Sequence, residues 1–155
     1  MYATTIEDLE ARPTLTPEAF AGCFRDFAFA FHHDLQSPDL FLVTRSGDCD
    51  DFSILAARVL RPRGYTPRLI AVRMAKVVHV VCYIEERGSY LDYNERTSGS
   101  LVKSGRRISD IARSVAKSYG TEWVSASEFT SDGALKRLVQ TVLKRDDRQM
   151  AAILR

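Results

Sequence analysis

The sequence predicts an α+β protein, because helical and strand-like patterns occupy separate parts of the chain. Residues 52–60 repeat apolar side chains at helical spacing. Residues 77–84 are β-branched and aromatic, and a short turn leads from them to a second strand-like run at 89–93. Further helical patterns begin near Thr16 and Ser131. We therefore expect a central helix, an antiparallel sheet, and additional N- and C-terminal helices.

The central helix opens with an acidic segment that contains a cysteine. Asp48 is the predicted N-cap, and Asp51 is placed to complete a capping box. Because the first turn of a helix has unpaired N–H groups and a partial positive charge, this position favours the thiolate form of Cys49. The alternative is that Cys49 is a small core residue. The apolar face of this helix comprises Phe52, Leu55, Ala56, Val59 and Leu60.

A histidine and an aspartate lie in the strand-like segments that follow. His79 is surrounded by valines, where burial is costly unless its ring nitrogens find partners. Asp92 is the one charged residue of the return strand. Separately, each has an ordinary structural explanation. Together with Cys49, they supply a nucleophile, a base and a group that orients the base.

These segments also resemble a known family. Gly47-Asp48-Cys49-Asp50-Asp51-Phe52, then His79, then Tyr90-Leu91-Asp92 resembles the transglutaminase-like branch of the papain-fold cysteine peptidases. Within that branch it is most similar to the bacterial transglutaminase-like cysteine proteinases. The resemblance covers about residues 40–94 and implies Cys49 as nucleophile, His79 as general base and Asp92 as orienting acid. It also implies a papain/transglutaminase-like core in which the cysteine helix packs on an antiparallel sheet.

Composition limits the alternatives. A chain of 155 residues with 45% hydrophobic residues predicts a single domain spanning 1–155. The net charge of +2 argues against nucleic acid and membrane surfaces as partners. Three widely spaced cysteines predict neither a disulfide framework nor a zinc site, and we expect no cofactor. Residues 1–8 lack the features of a signal peptide, so the sequence as written predicts a cytoplasmic protein.

The terminal segments carry the remaining patterns. Phe20, Phe24, Phe27 and Phe31 form a stripe predicted to lie on one helix and to pack over the cysteine helix or the sheet. His32-His33-Asp34 suggests a metal site, but adjacent helical residues chelate poorly, and histidines at a helix C-terminus are the favoured explanation. Residues 106–119 predict a helix, and 123–124 a short strand.

The last predicted helix begins near Ser131. Its basic flank, Lys136, Arg137, Lys144 and Arg145, is most simply a solvated face. Its predicted apolar face comprises Leu135, Leu138, Val139, Val142 and Leu143.

Strand periodicity also places residues around the proposed base. Residues 68–74 predict a strand before that of His79. By alternation, His79 shares a face with Val77, Val81 and Tyr83, and the opposite face is apolar as well. We therefore expect helices or loops to cover both faces of the sheet, with His79 at a gap in that cover.

The resulting hypothesis is acyl transfer through a thioester on Cys49, with a peptide or protein as substrate. We favour peptide or amide hydrolysis, and transamidation or a peptidoglycan amidase or endopeptidase are alternatives that share the same residues. The oxyanion would be held by the Cys49 N–H and a second donor that the sequence does not identify. A non-catalytic binding or assembly module is the alternative of another class. A metal module using Cys49, Asp50, Asp51 and His79 is disfavoured, because successive residues at a helix start fan outward.

Overall fold

The computed structural model describes residues 5–31, 34–132 and 135–144. Its centre is a six-stranded antiparallel sheet with two layers of helix and loop around it. The helices are α1 (Ile6–Glu10), α2 (Pro17–Gly22), α3 (Pro38–Thr44), α4 (Cys49–Leu60) and α5 (Ile108–Ser118). The strands are β1 (Ala28–Phe29), β2 (Ser46–Gly47), β3 (Pro67–Met74), β4 (Val78–Ile84), β5 (Ser89–Leu91), β6 (Val102–Lys103), β7 (Trp123–Asp132) and β8 (Leu135–Leu143).

The strand order of the large sheet is β6-β5-β4-β3-β7-β8, and β1 and β2 form a separate parallel pair. The cysteine-bearing helix α4 packs on β4 and β3, and α5 packs on β3 and β7. This arrangement confirms the predicted α+β class with a cysteine helix on an antiparallel sheet.

Both faces of the central strands are covered, as the alternation in β4 predicts, but His79 is 2% exposed and therefore does not lie at a gap in that cover. Val80 and Cys82 belong to the apolar core beneath α4. Val81 and Tyr83 belong to a second core on the α5 side. Side chains from successive strand residues point to opposite faces, which is why a strand buried on both sides reads as a continuous apolar run.

The predicted N-terminal helix is much shorter than the phenylalanine stripe suggests. It ends at Gly22, and the chain then continues through reverse turns into β1. Phe20, Phe24 and Phe27 nevertheless pack inward, while Phe31 is 68% exposed. The prediction of one helix with four inward phenylalanines is therefore wrong. Glycine is a poor helix former, and the turns after Gly22 bring Phe24 and Phe27 into the core without helical geometry.

The three inward phenylalanines form an aromatic cluster with residues from the cysteine helix and its neighbours. Phe24 lies with its ring centroid 5.1 Å from that of Phe52, in an edge-on arrangement. The Phe52 ring in turn lies 5.4 Å from Tyr93, the residue after Asp92. Such pairs add to the burial of apolar area, so the cluster ties the N-terminal segment to α4 and to the region of Asp92.

Helix α3 is not among the helices that the sequence predicts. Ser37 accepts a hydrogen bond from the backbone N–H of Leu40, and Pro38 is at the first helical position. This is the same cap and proline pattern that marks the start of α2 at Thr16. This helix places Phe41 in the aromatic cluster, with its ring centroid 5.7 Å from that of Phe24.

The predicted C-terminal helix is wrong. Residues from Ser131 onward complete β7 and, after residues 133–134, form β8, which pairs antiparallel with β7. Leu135, Leu138 and Val139 are 57–68% exposed rather than buried on a helical face. Their spacing and their helix-forming residues fit a helix, but pairing with the long strand β7 satisfies the backbone groups of this segment and overrides its local preference.

The predicted histidine pair is not placed, because His32 and His33 lie outside the described residues. Arg145, part of the predicted basic flank, lies outside them as well.

In the part of the chain that the structure describes, no helix has both the length and the apolar character needed to cross a membrane.

The aromatic cluster predicts a large effect of truncation at its centre. Phe24 is 0% exposed, so Phe24→Ala should lower the free energy of unfolding by about 3–5 kcal/mol, measured by urea denaturation. Phe29→Ala is the control, because Phe29 is 58% exposed, and its effect should stay within about 0.5 kcal/mol. Equal effects of the two substitutions would contradict this account of the core.

Candidate active site

Cys49 is the first residue of α4, as the sequence predicts. Asp48 Oδ1 accepts a hydrogen bond from the Asp51 N–H at 3.2 Å, and Asp51 Oδ2 accepts one from the Asp48 N–H at 3.1 Å. The capping box is therefore complete, with both carboxylates buried. Its geometry fixes the start of the helix and with it the position of the sulfur.

The residues around this box explain the glycine before it. A Cβ atom on Gly47 would lie 2.5 Å from the Phe41 ring and 2.7 Å from Asp51 Oδ2. The Asp51 carboxylate also accepts hydrogen bonds from the backbone N–H and side-chain amide of Gln36, at 2.9 and 3.0 Å. Gly47 thus allows the aromatic cluster and the capping carboxylate to approach the same point of the backbone.

His79 and Asp92 form a buried pair. His79 Nε2 lies 2.7 Å from Asp92 Oδ1, and the two side chains are 3% and 2% exposed. The same oxygen accepts a hydrogen bond from the Asn94 N–H at 2.9 Å, because Asp92 caps the short 3₁₀ turn Tyr93–Glu95. Asp92 therefore has two structural roles: it caps the turn that follows β5, and it holds the imidazole of His79.

Cys49 completes a continuous chain of three side chains. Burial lowers the pKa of His79, but hydrogen bonds to Asp92 and Cys49 and the charges of both groups raise it, with a net pKa of about 9. Because Nε2 is used by Asp92, Nδ1 is the ring nitrogen left for the sulfur. The structure thus brings together Cys49, His79 and Asp92, the three residues singled out in the sequence.

The main chain of Val80 contacts α4 through two side chains one helical turn apart. Its N–H points at Cys49 Sγ at 3.4 Å, and its carbonyl accepts a hydrogen bond from Ser53 Oγ at 3.2 Å. β5 pairs with β4 at Cys82, Tyr83 and Ile84, so Val80 lies outside the part of β4 that pairs with β5. The early end of β5 leaves a backbone N–H available to stabilise a thiolate.

Tyr119 and Asn94 cover the imidazole from outside. The Tyr119 ring lies 5.3 Å from the His79 ring in an edge-on arrangement, and its hydroxyl accepts a hydrogen bond from Asn94 Nδ2 at 2.9 Å. Tyr119 is 37% exposed and is the C-cap residue of α5. Ser53, Val80 and Tyr119 were missed as site residues, since nothing in the local sequence shows what they contact.

The other two cysteines differ from Cys49 in environment. Burial raises the pKa of Cys23, against an opposing effect of Arg12. Burial raises the pKa of Cys82 to about 12. Both thiols are buried, whereas Cys49 is partly exposed.

The metal alternative finds no support in the arrangement of the site. Within residues 5–31, 34–132 and 135–144, no three His, Cys, Asp or Glu side chains are grouped so that they could hold a metal ion. Asp50, one of the four residues of that alternative, instead pairs with Lys136 Nζ at 2.8 Å.

Comparison with known proteins agrees with the fold. The family model described as a transglutaminase-like domain matches residues 7–96, more than half of the chain and including Cys49, His79 and Asp92. The chain belongs to the transglutaminase-like domain family. The resemblance found in the sequence is thereby confirmed.

Solved structures with the same fold include Legionella pneumophila LapG. One has a TM-score of 0.55 and 19% identity over 96% of this chain and 80% of that chain. The EGTA-treated and calcium-bound forms of LapG are each 18% identical, with TM-scores of 0.55 and 0.53 and coverage of 81% and 84% of those chains. No curated protein gives a significant match. At this level of identity, the likeness to LapG shows a shared fold.

The crowding around Gly47 predicts that adding a side chain at this position lowers the stability of the protein. Gly47→Ala should displace the Phe41 ring or the Asp51 carboxylate and lower the free energy of unfolding by about 1–3 kcal/mol. Gly22→Ala is the matched control, because a Cβ there has nothing within 4 Å. Urea denaturation measures both, and a Gly47 variant as stable as the Gly22 variant would argue against the crowding described above.

The raised pKa of His79 predicts how stability depends on pH. A folded-state pKa of about 9, against an ordinary 6.5, stabilises the fold fully below pH 6.5, and this contribution is lost as pH rises through 9. So that His79 is the one titrating member of the Cys49–His79 pair, the test uses Cys49→Ser protein, in which the contact with Asp92 still raises the pKa of His79. Its free energy of unfolding, measured by urea denaturation, should fall as pH rises above 6.5, and adding His79→Gln to Cys49→Ser should remove most of that fall. The same slope in both proteins would contradict the charge assignment.

Proposed function

We propose that the protein is a thiol-dependent acyl-transfer enzyme that hydrolyses peptide or amide bonds through a thioester on Cys49. The observation that carries this proposal is the linked arrangement of Asp92, His79 and Cys49, with the sulfur at a helix N-terminus. Membership of the transglutaminase-like domain family supports the same reaction class. Cys49 is also the most accessible of the three cysteines.

In the proposed reaction, the Cys49 thiolate attacks the substrate carbonyl carbon. A carbon–sulfur bond forms, and the carbonyl π electrons move to the oxygen. The His79 imidazolium then gives its proton to the leaving nitrogen as the carbon–nitrogen bond breaks, which leaves a thioester. In the second half, neutral His79 takes a proton from water, the hydroxide attacks the thioester, and the carbon–sulfur bond breaks to release a carboxylic acid.

Each protein group has a defined task in these steps. Asp92 holds the imidazole through Nε2 and stabilises its positive charge, so that the other ring nitrogen faces the sulfur. The helix start and the Val80 N–H stabilise the thiolate before attack. The backbone N–H of Cys49 is one donor for the oxyanion, and we assign the Val80 N–H as the second, because it lies 3.4 Å from the sulfur to which the oxyanion-bearing carbon becomes bonded.

The first test asks which thiol is reactive. Limiting iodoacetamide at pH 6 should alkylate Cys49 before Cys23 and Cys82, as measured by mass spectrometry of digested peptides across a pH series. His79→Ala should shift the labelling of Cys49 to higher pH, because the imidazolium that stabilises the thiolate is lost.

The Asp92→Asn substitution tests whether Asp92 acts on the His79 imidazole in addition to capping the turn after β5. Asparagine is also a good cap, so the fold should persist, but it stabilises the imidazolium less and should shift Cys49 labelling in the same direction as His79→Ala. Labelling of Cys49 that follows a free thiol, near pH 8.5, and that ignores both substitutions would favour a non-catalytic binding module.

The second test asks about the reaction itself. A library of synthetic peptides incubated with the protein in H₂¹⁸O should give fragments with ¹⁸O in the new carboxyl groups, and Cys49→Ala should give none. Peptides joined through new amide bonds without ¹⁸O would instead indicate transamidation. Identical products from the parent and Cys49→Ala would overturn the proposal.

A further inference from the structure

One edge of β4 carries main-chain groups for which the proposed mechanism has no use. β5 pairs with β4 at Cys82, Tyr83 and Ile84, so residues 78–80 extend past the paired part of the strand. On that side of residues 78–80, no strand among the described residues continues the sheet. We call residues 78–80 the open edge of β4.

Alternation along β4 determines which main-chain groups face the open edge. The Met74 N–H donates to the Val77 carbonyl at 2.9 Å, so the main-chain groups of Val77 face β3. The N–H and the carbonyl of Val80 both face α4, where they meet the Cys49 sulfur and a serine hydroxyl. The two groups of one strand residue face the same side, and that side alternates from residue to residue. Val78 therefore presents its N–H and its carbonyl on the same side as Val80, the side of the reacting sulfur.

The main chain of Val78 is accessible on this side. Val78 is 54% exposed, and burial resumes at His79 and Val80. Among the described residues, no hydrogen bond satisfies the groups that Val78 turns away from β3. A strand edge with free N–H and C=O groups pairs readily with another extended chain.

The spacing of donors along the open edge matches an extended peptide. The N–H groups of Val78 and Val80 are two residues apart, about 6.6 Å along the strand, and carbonyls on one edge of an extended peptide recur at the same interval. The Val80 N–H lies 3.4 Å from Cys49 Sγ and is the second oxyanion donor assigned above. A peptide whose reacting carbonyl accepts from Val80 therefore brings the carbonyl two residues away to Val78.

We propose that the substrate is an extended peptide whose main chain adds to the open edge of β4. The Val78 N–H donates to the substrate carbonyl two residues from the reacting one, and the Val78 carbonyl accepts a hydrogen bond from a substrate N–H. The exposed side chains of Val77 and Val78 flank this position with apolar surface. An amide without an extended main chain beside it makes neither bond. This proposal rests on the proposed thiol chemistry and adds the substrate class.

The test measures how fast peptide reagents alkylate Cys49 in the whole protein, by mass spectrometry of digested peptides. The chloromethyl ketones of acetyl-alanine and acetyl-trialanine carry main chain on the N-terminal side of the reactive carbon. Iodoacetyl-alanine amide and iodoacetyl-trialanine amide carry it on the C-terminal side. In at least one pair, the longer reagent should react about three- to tenfold faster, because it alone reaches the Val78 N–H. The pair that shows this advantage gives the direction of the bound chain.

The Val78→Pro substitution removes the N–H that the proposal uses. Proline is accepted at the first residue of a strand, so β4 should keep its pairing with β3. Each rate is divided by that of iodoacetamide with the same protein, so that a change in the thiol itself cancels. The advantage of the longer reagent should fall below about twofold in Val78→Pro. Val78→Thr, which retains the N–H and the β-branched shape, is the matched control and should retain the advantage.

A second arm changes the reagent and keeps the parent protein. N-methylation of the amides of the longer reagent removes the donors to the Val78 carbonyl and should also reduce its advantage. An equal rate for longer and shorter reagents in both directions would overturn the proposal. So would equal rate ratios in Val78→Pro and Val78→Thr.

The peptide library in H₂¹⁸O separates this proposal from the proposed function. Cleavage of the library by a parent protein that shows no length advantage would overturn the substrate class and leave the hydrolytic function intact. A length advantage that depends on Val78, in a protein that cleaves no peptide, would support the open edge as a peptide site and overturn the hydrolytic function.

Discussion

The contact between α4 and the main chain of Val80 is the constraint on which the site depends. Ser53 and Cys49, four residues apart, meet the carbonyl and the N–H of one strand residue. Ser53 is 0% exposed, and a buried carbonyl without its donor would carry a desolvation cost. The helix is therefore held in register on β4, and this places the Cys49 sulfur beside the residue that follows His79.

Among the described residues, buried charged side chains are concentrated around the candidate site. Asp48, Asp51, His79 and Asp92 are all buried, and each has its hydrogen-bonding partners within the site. Such groups are costly to bury unless they are satisfied. The aromatic cluster beneath them supplies the compensating apolar burial, and Phe52 and Tyr93 directly join that cluster to the residues following Cys49 and Asp92.

The β7–β8 hairpin has a different relation to the core. Residues of β8 are largely exposed on both faces, so the hairpin is held by pairing of β8 with β7 and by contacts such as that of Lys136 with Asp50. It contributes little apolar burial of its own. Through this ion pair, β8 lies beside the first turn of α4.

Local sequence determined the parts of the fold that are stabilised by interactions between residues close together in the chain. The capping box at Asp48 and Asp51, the apolar face of α4 and the hairpin from His79 to Asp92 depend on neighbouring residues, and they could be predicted together with the three site residues. Tertiary structure alone decided that residues 135–143 form a strand, that Val80 offers its N–H to Cys49 and that Tyr119 covers His79. These outcomes depend on which strand ends first and which surfaces meet, and pairing between distant segments overrides local periodicity.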